Sequence, residues 1–209
     1  MNTKPILYHG TAKPLQGGAL IPRATGRFAQ IAPVVFATDD RTQATMFAAF
    51  DWTMTNGPVL SGGYGQGAGA VKYVFLPNRQ FHMSNPNPGT LLEFPTDNDF
   101  VKHDACGPTE WVKFGEVRFA NCIQHPVNGI QDLMSTGVQV LFFEPGEISR
   151  DRIQELMVPK QGKYYLPDLV IANFIKTGLL VHENAEQGIL PHDFRSAALK
   201  NLLEVSRVR

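Results

Sequence analysis

With 209 residues, 43% of them apolar and 18% charged, the chain can bury one sizeable core, or one core with an appendage, and its composition excludes a disordered polymer. Lys+Arg and Asp+Glu both total 19, so no global attraction to nucleic acid or to an anionic membrane is built in, although a local basic patch remains open. No apolar run reaches the ~18 residues that span a bilayer, MNTKPILYHG has no secretory-leader pattern, and two cysteines are too few for a secreted disulfide scaffold, so a protein that is cytoplasmic where it is made, without membrane association, is expected; one exported by a dedicated machine would look the same.

The first two-thirds is β-rich with Gly and Pro punctuation. Strands are expected over Pro5–His9, Val34–Thr38, Ala70–Leu76, Thr109–Phe114, Glu116–Ile123 and Val138–Phe143, each bounded by turn residues. A helix is expected from about Arg41 to Trp52, capped by Asp39 or Asp40, with Ala44, Phe47 and Ala48 on one face. Asn56–Gly69 and Asn85–Cys106 read as loops. The first holds SGGYGQGAGA, which lacks the Gly-Lys-Ser/Thr ending of a phosphate-binding loop and leads into no helix. After Pro145 the character changes, and helices are expected over Ile148–Met157, Pro167–Thr177 and Pro191–Ser206, two of them with proline in the first turn. A boundary near Gly146 divides a core of residues 1–146 from a helical extension, 147–209.

Three stretches carry chemistry. LYHGT, residues 7–11, delivers His9 to a strand end before Gly10 and Thr11. In PVVFATDDRTQATMFAAF, residues 33–50, Phe36 closes a strand and Phe47 follows eleven residues later on the helix. Each ring alone is an ordinary core residue, but a strand feeding a helix can bring two rings across a slot that suits a flat heteroaromatic ring. In GPTEWVKFGEVRF, alternation puts Glu110, Val112 and Phe114 on one strand face and Trp111 and Lys113 on the other. A glutamate beside Val and Phe is costly without partners or a task; the alternative is an exposed edge strand.

Strand-His-Gly-Thr, then Phe-Ala-Thr-Asp leading into a helix with an aromatic, then a strand opening Glu-Trp-Val, resembles the ADP-ribosyltransferase superfamily. The similarity is to its His-Tyr-Glu branch, the diphtheria-toxin-like and poly-ADP-ribose-polymerase-like enzymes. It covers residues 5–143 as three motifs in order. The resemblance implies a split β-sandwich of α+β class, with NAD as co-substrate. Under it, His9 bonds the NAD ribose, the Gly10 backbone holds the nicotinamide carboxamide with Thr11 next to it, and Phe36 and Phe47 sandwich the ring. Glu110 stabilises the cationic ribose as the glycosidic bond breaks. Both aromatics are Phe where the family commonly has Tyr, so stacking is retained without a hydroxyl. Arg23 and Arg27, in an acid-free stretch of 38 residues, are placed where the family's donor loop covers NAD and could meet the pyrophosphate; Tyr64 could line the site. The function implied is mono-ADP-ribosyl transfer to a macromolecular acceptor, nucleic acid favoured over protein, by a bacterial or phage toxin-type enzyme with an antitoxin or immunity protein as a possible partner. Pro108 stands two residues before Glu110, where branches that modify arginine often carry Glu or Gln, which argues against an arginine acceptor.

Other readings stay open. His103, Cys106, Cys122 and His125 have spacings that suit four zinc ligands; a hairpin turning at Phe114-Gly115 would let them converge, making a zinc-stabilised interaction module. Cys106 with His9 or His103 could form a hydrolase pair, though no activating helix N-terminus is evident. NAD-dependent RNA 2′-phosphate transfer belongs to the same wider fold but calls for an arginine-rich pocket. The preferred mechanism requires no metal.

Overall fold

The computed structural model describes residues 5–24, 28, 30–50, 73–77, 79–84, 89–96, 98–143, 155, 158–160, 163–165, 173–174, 176–177 and 180–183. In chain order these form β1 (Leu7–Thr11), β2 (Ala19–Leu20), β3 (Val35–Thr38), α1 (Arg41–Ala49), β4 (Tyr73–Pro77), α2 (Arg79–Ser84), β5 (Gly89–Phe94) and β6 (Glu110–Lys113). There follow β7 (Val117–Arg118), a 3₁₀ turn (Phe119–Asn121), β8 (Ile123–Val127), α3 (Gly129–Ser135), β9 (Gln139–Phe143), β10 (Val158–Lys160), β11 (Lys163–Tyr165) and β12 (Leu180–His182). The class is α+β, with mostly antiparallel pairing. No helix among the described residues is long and apolar enough to cross a membrane.

Two compact units make up the chain, Met1–Trp52 with Asn85–Leu133, and Thr53–Ser84 with Met134–Arg209. The first carries a five-stranded sheet in the order β6-β3-β1-β5-β8, antiparallel at every pairing. Leu7, Val35, Ala37, Leu92, Phe94, Phe100 and Val117 form the core against one face. The other face carries α1. Asp40 caps this helix, its Oδ1 accepting from the Gln43 N–H at 3.2 Å, so one of the orphan amides of the first turn is satisfied. Ala44 and Ala48, one turn apart, are buried and lie on the glycines of the sheet. A Cβ on Gly10 would stand 1.7 Å from the Ala44 carbonyl oxygen, and one on Gly89 would stand 1.9 Å from that of Ala48. Only glycine lets the helix come this close to β1 and β5.

In the second unit, β9 is the middle strand of β12-β9-β4, parallel to β4 and antiparallel to β12. All five of its residues are buried, which explains the unbroken apolar run Val140-Leu141-Phe142-Phe143: a strand covered on both faces shows no alternation. β10 and β11 pair with each other.

Several expectations are corrected. Glu116–Ile123 is not one strand, because β7 pairs with β2 and β8 with β5, separated by the 3₁₀ turn. The hairpin at Phe114-Gly115 does not form, since β6 takes β3 as its partner. The segment read as a loop over Asn85–Cys106 contains β5, which lies between β1 and β8. Neither α2 nor α3 was expected. Beyond Gly146 the described residues include β10, β11 and β12 as well as helical residues at Glu155, Asn173, Phe174 and Lys176, so the extension is not wholly helical. β12 pairs with β9 across the expected boundary. The glycine-rich loop over Asn56–Gly69 and the helix over Pro191–Ser206 lie outside the described residues.

Candidate active site

Alternation along β1, β3 and β6 sets Tyr8 and Gly10, Phe36 and Thr38, and Glu110 and Val112 on one face of the sheet. Glu110 pairs directly with Thr38, and Thr38 with Tyr8, a row that crosses three strands at about 5 Å per step.

The sheet opens along this row. β1 pairs with β5 at five positions and β3 with β6 at four, but β1 and β3 meet only at Tyr8↔Thr38. Past that point the ring of His9 takes the place of the ladder: its Nδ1–H donates to the Phe36 carbonyl at 2.7 Å. Because a carbonyl only accepts, Nδ1 carries the proton and neutral His9 presents Nε2 as a lone-pair acceptor. Burial pulls the His9 pKa down; the Phe36 bond opposes this, and the positive charge of Arg23 adds to the lowering. His9 is therefore held neutral at physiological pH.

The same bond orients the glycine. Since the Phe36 carbonyl faces β1, alternation turns the Thr38 main-chain groups the same way, and those of Tyr8 and Gly10 toward β3. Gly10 thus presents an N–H and a C=O to the gap, with no ladder partner on β3.

Between this gap and the first turns of α1 lies a cavity of about 420 Å³, lined by Tyr8, His9, Gly10, Phe36, Ala37, Thr38, Gln43, Ala44, Phe47 and Glu110, within the size range of small-molecule sites. Phe36 packs edge-on against buried Phe28, ring centroids 5.4 Å apart. Phe47 is 46% exposed, so burial in the core does not account for it. Glu110 is half-buried, and its Oε2 accepts from the Gly107 N–H at 2.6 Å. Gly107 has room for little else: a Cβ there would meet the Glu110 carboxylate at 3.2 Å.

Five expected site residues, His9, Gly10, Phe36, Phe47 and Glu110, therefore share one cavity. Thr11 does not line it; its Oγ1 accepts from the Lys13 N–H at 3.2 Å in the turn after β1. Arg23 is bridged to Val34 by two main-chain bonds and, though not in the lining, its charge reaches His9. Arg27 and Tyr64 lie outside the described residues. Unexpected from sequence are Tyr8, with the Arg41 guanidinium 6.0 Å from its ring centre, and the polar pair Thr38 and Gln43. Asp40-Arg41-Thr42-Gln43 has the spacing of a capping box, a signal that could have singled out Gln43.

The four candidate zinc ligands do not converge. His103 Nδ1 accepts from the Ala105 N–H and its ring packs on Phe28. His125 meets Glu93 at 2.9 Å, and the Cys122 thiol donates to the Arg118 carbonyl at 3.5 Å. Among the described residues no group of three or more His, Cys, Asp or Glu is arranged to hold a metal. Burial raises the Cys122 thiol pKa, with Lys113 opposing.

No protein-family model matches the chain, and neither does any curated protein or solved structure.

Proposed function

We propose that this cavity binds the nicotinamide-ribose half of NAD and that the protein is a mono-ADP-ribosyltransferase with an ADP-ribosyltransferase-like split β-sandwich core and a C-terminal extension. The observation that carries the reading is that His9, Gly10, Phe36, Phe47 and Glu110, drawn from three motifs up to about a hundred residues apart, line one cavity at the opening between β1 and β3.

Each group has a matching partner on the ligand. A primary carboxamide has one acceptor and two donors, complementary to the N–H and C=O of Gly10. The rings of Phe36 and Phe47 stack on the nicotinamide. His9 Nε2, as an acceptor, takes a hydrogen bond from a ribose hydroxyl, and the field of Arg23 favours the diphosphate beyond it.

The chemistry is substitution at the anomeric carbon of that ribose. The bond from this carbon to the nicotinamide nitrogen breaks, both electrons leave with nicotinamide, and positive charge spreads over the anomeric carbon and ring oxygen. Glu110 bonds the adjacent ribose hydroxyl and stabilises that charge. An acceptor nucleophile then forms the new bond and loses its proton. Because the charge develops only as the bond breaks, the carboxylate lowers the barrier more than it tightens binding.

A nucleic-acid acceptor is favoured by the acid-free run through Thr38, and an enzyme of this kind fits a toxin held in check by an antitoxin or immunity protein. The test is incubation with adenylate-labelled NAD and cell lysate, followed by separate nuclease and protease digestion. Label released by nuclease supports this acceptor class; label released by protease assigns protein instead, and no macromolecular label removes the transferase reading.

A further inference from the structure

We propose that Gln43 is a positioning residue for Glu110, acting through Thr109; this rests on the transferase reading of the cavity and deepens it. In a capping box the residue three places into the helix reaches back to the cap's own N–H. Here Thr38 Oγ1 already accepts the Asp40 N–H at 3.1 Å, which releases the Gln43 side chain for another use. With its oxygen engaged as an acceptor there, Thr38 turns its hydroxyl proton to Gln43 Oε1 at 3.1 Å. Thr109 donates its own hydroxyl to the same oxygen at 2.8 Å.

One amide oxygen thus ties the end of β3, the first turn of α1 and the residue immediately before Glu110. Thr109 is held a second time, its carbonyl accepting from the Asp39 N–H at 3.0 Å. Glu110 next to it is fixed at main chain and side chain by Gly107. The carboxylate is therefore referenced to the two elements that carry Phe36 and Phe47. Gln43 also lines the cavity, yet on this account it sets where Glu110 stands rather than gripping the ligand. A displacement of about 1 Å at a catalytic group can cost on the order of a hundredfold in rate.

The experiment measures steady-state nicotinamide release from NAD by the wild type, Gln43→Ala, Thr109→Val, the double variant and Thr109→Ser. Amide hydrogen exchange at Glu110 is followed in parallel. For Gln43→Ala and Thr109→Val, kcat is expected to fall about tenfold to a hundredfold with KM for NAD within about threefold. The double variant should be no slower than the poorer single, because both remove the same Gln43–Thr109 bond. Thr109→Ser, which keeps the hydroxyl, should restore the wild-type rate, and exchange at Glu110 should quicken in Gln43→Ala. Wild-type kcat in Gln43→Ala, a raised KM with kcat unchanged, or fully multiplicative losses would overturn the positioning role. A wild type that releases no nicotinamide overturns the transferase reading and this role with it, and the exchange data then report only a structural clamp.

Discussion

Gly10→Ala tests the packing on which the cavity depends. The added Cβ would lie 1.7 Å from the Ala44 carbonyl oxygen and 2.8 Å from the Ala48 nitrogen, both main-chain atoms of α1. Ordinary contact begins near 3.4 Å, so no rotamer change relieves the clash and the helix must lift off β1 by roughly 1.5 Å. That opens the seam where buried Ala44 and Ala48 meet the sheet, and it carries Gln43 and Phe47 away from Phe36. Overpacking of this kind costs about 3 kcal/mol, equivalent to a fall in Tm of roughly 6–12 °C for a chain of this size. Urea unfolding and calorimetry measure the cost, with Gly115→Ala as control. A Cβ there meets nothing nearer than 3.7 Å and should change stability by less than about 0.5 kcal/mol. Wild-type stability in Gly10→Ala would refute the seating of α1 on β1, and with it the shape of the cavity.

Phe47→Ala should weaken NAD binding by about twofold to tenfold, from the loss of about 0.5–1.5 kcal/mol of stacking. Its Tm should hardly move, because the ring is half-exposed; Phe47→Tyr should bind like the wild type, as calorimetric titration would read. Acid sensitivity should arise at His82, whose pKa burial lowers from 6.5 to about 4 on the turn of α2 against Phe142. Protonation favours the unfolded chain, so this contribution is intact above pH 6.5 and is lost as pH falls from there toward 4, by at most about 2 kcal/mol at pH 5. His82→Leu should flatten the stability profile across that window, and an unchanged slope would rule the histidine out as its source.

How far the fold could be read in advance follows from which signals are local. β3, β6 and α1 carry theirs within a few residues: alternation in Glu110–Lys113, an aspartate cap, and alanines at helical spacing. The five expected residues that share the cavity were legible for the same reason, since they sit at strand ends and on the helix that directly follows β3. Pairing is not local. β6 could have folded back on the segment after Gly115, and only the completed sheet decides that it joins β3. β5 was hidden because Pro and Asn surround it and because Leu91 and Leu92, adjacent in sequence, are both buried, which erases the two-residue period. Gln43 was missed because the role proposed for it depends on Thr38 accepting the N–H of the cap residue Asp40.

The most direct measurement is nicotinamide release by Glu110→Gln, with NAD affinity determined alongside. The substitution keeps the shape of the side chain and an oxygen that can accept from the Gly107 N–H, and it removes the charge. If Glu110 stabilises the cationic ribose, release should fall by about two to three orders of magnitude while affinity changes by less than about threefold. Glu116→Gln, whose exposed carboxylate pairs with Arg118 at 3.1 Å and does not line the cavity, should keep the wild-type rate. Release by Glu110→Gln at the wild-type rate would contradict the assignment of this cavity as a transferase site.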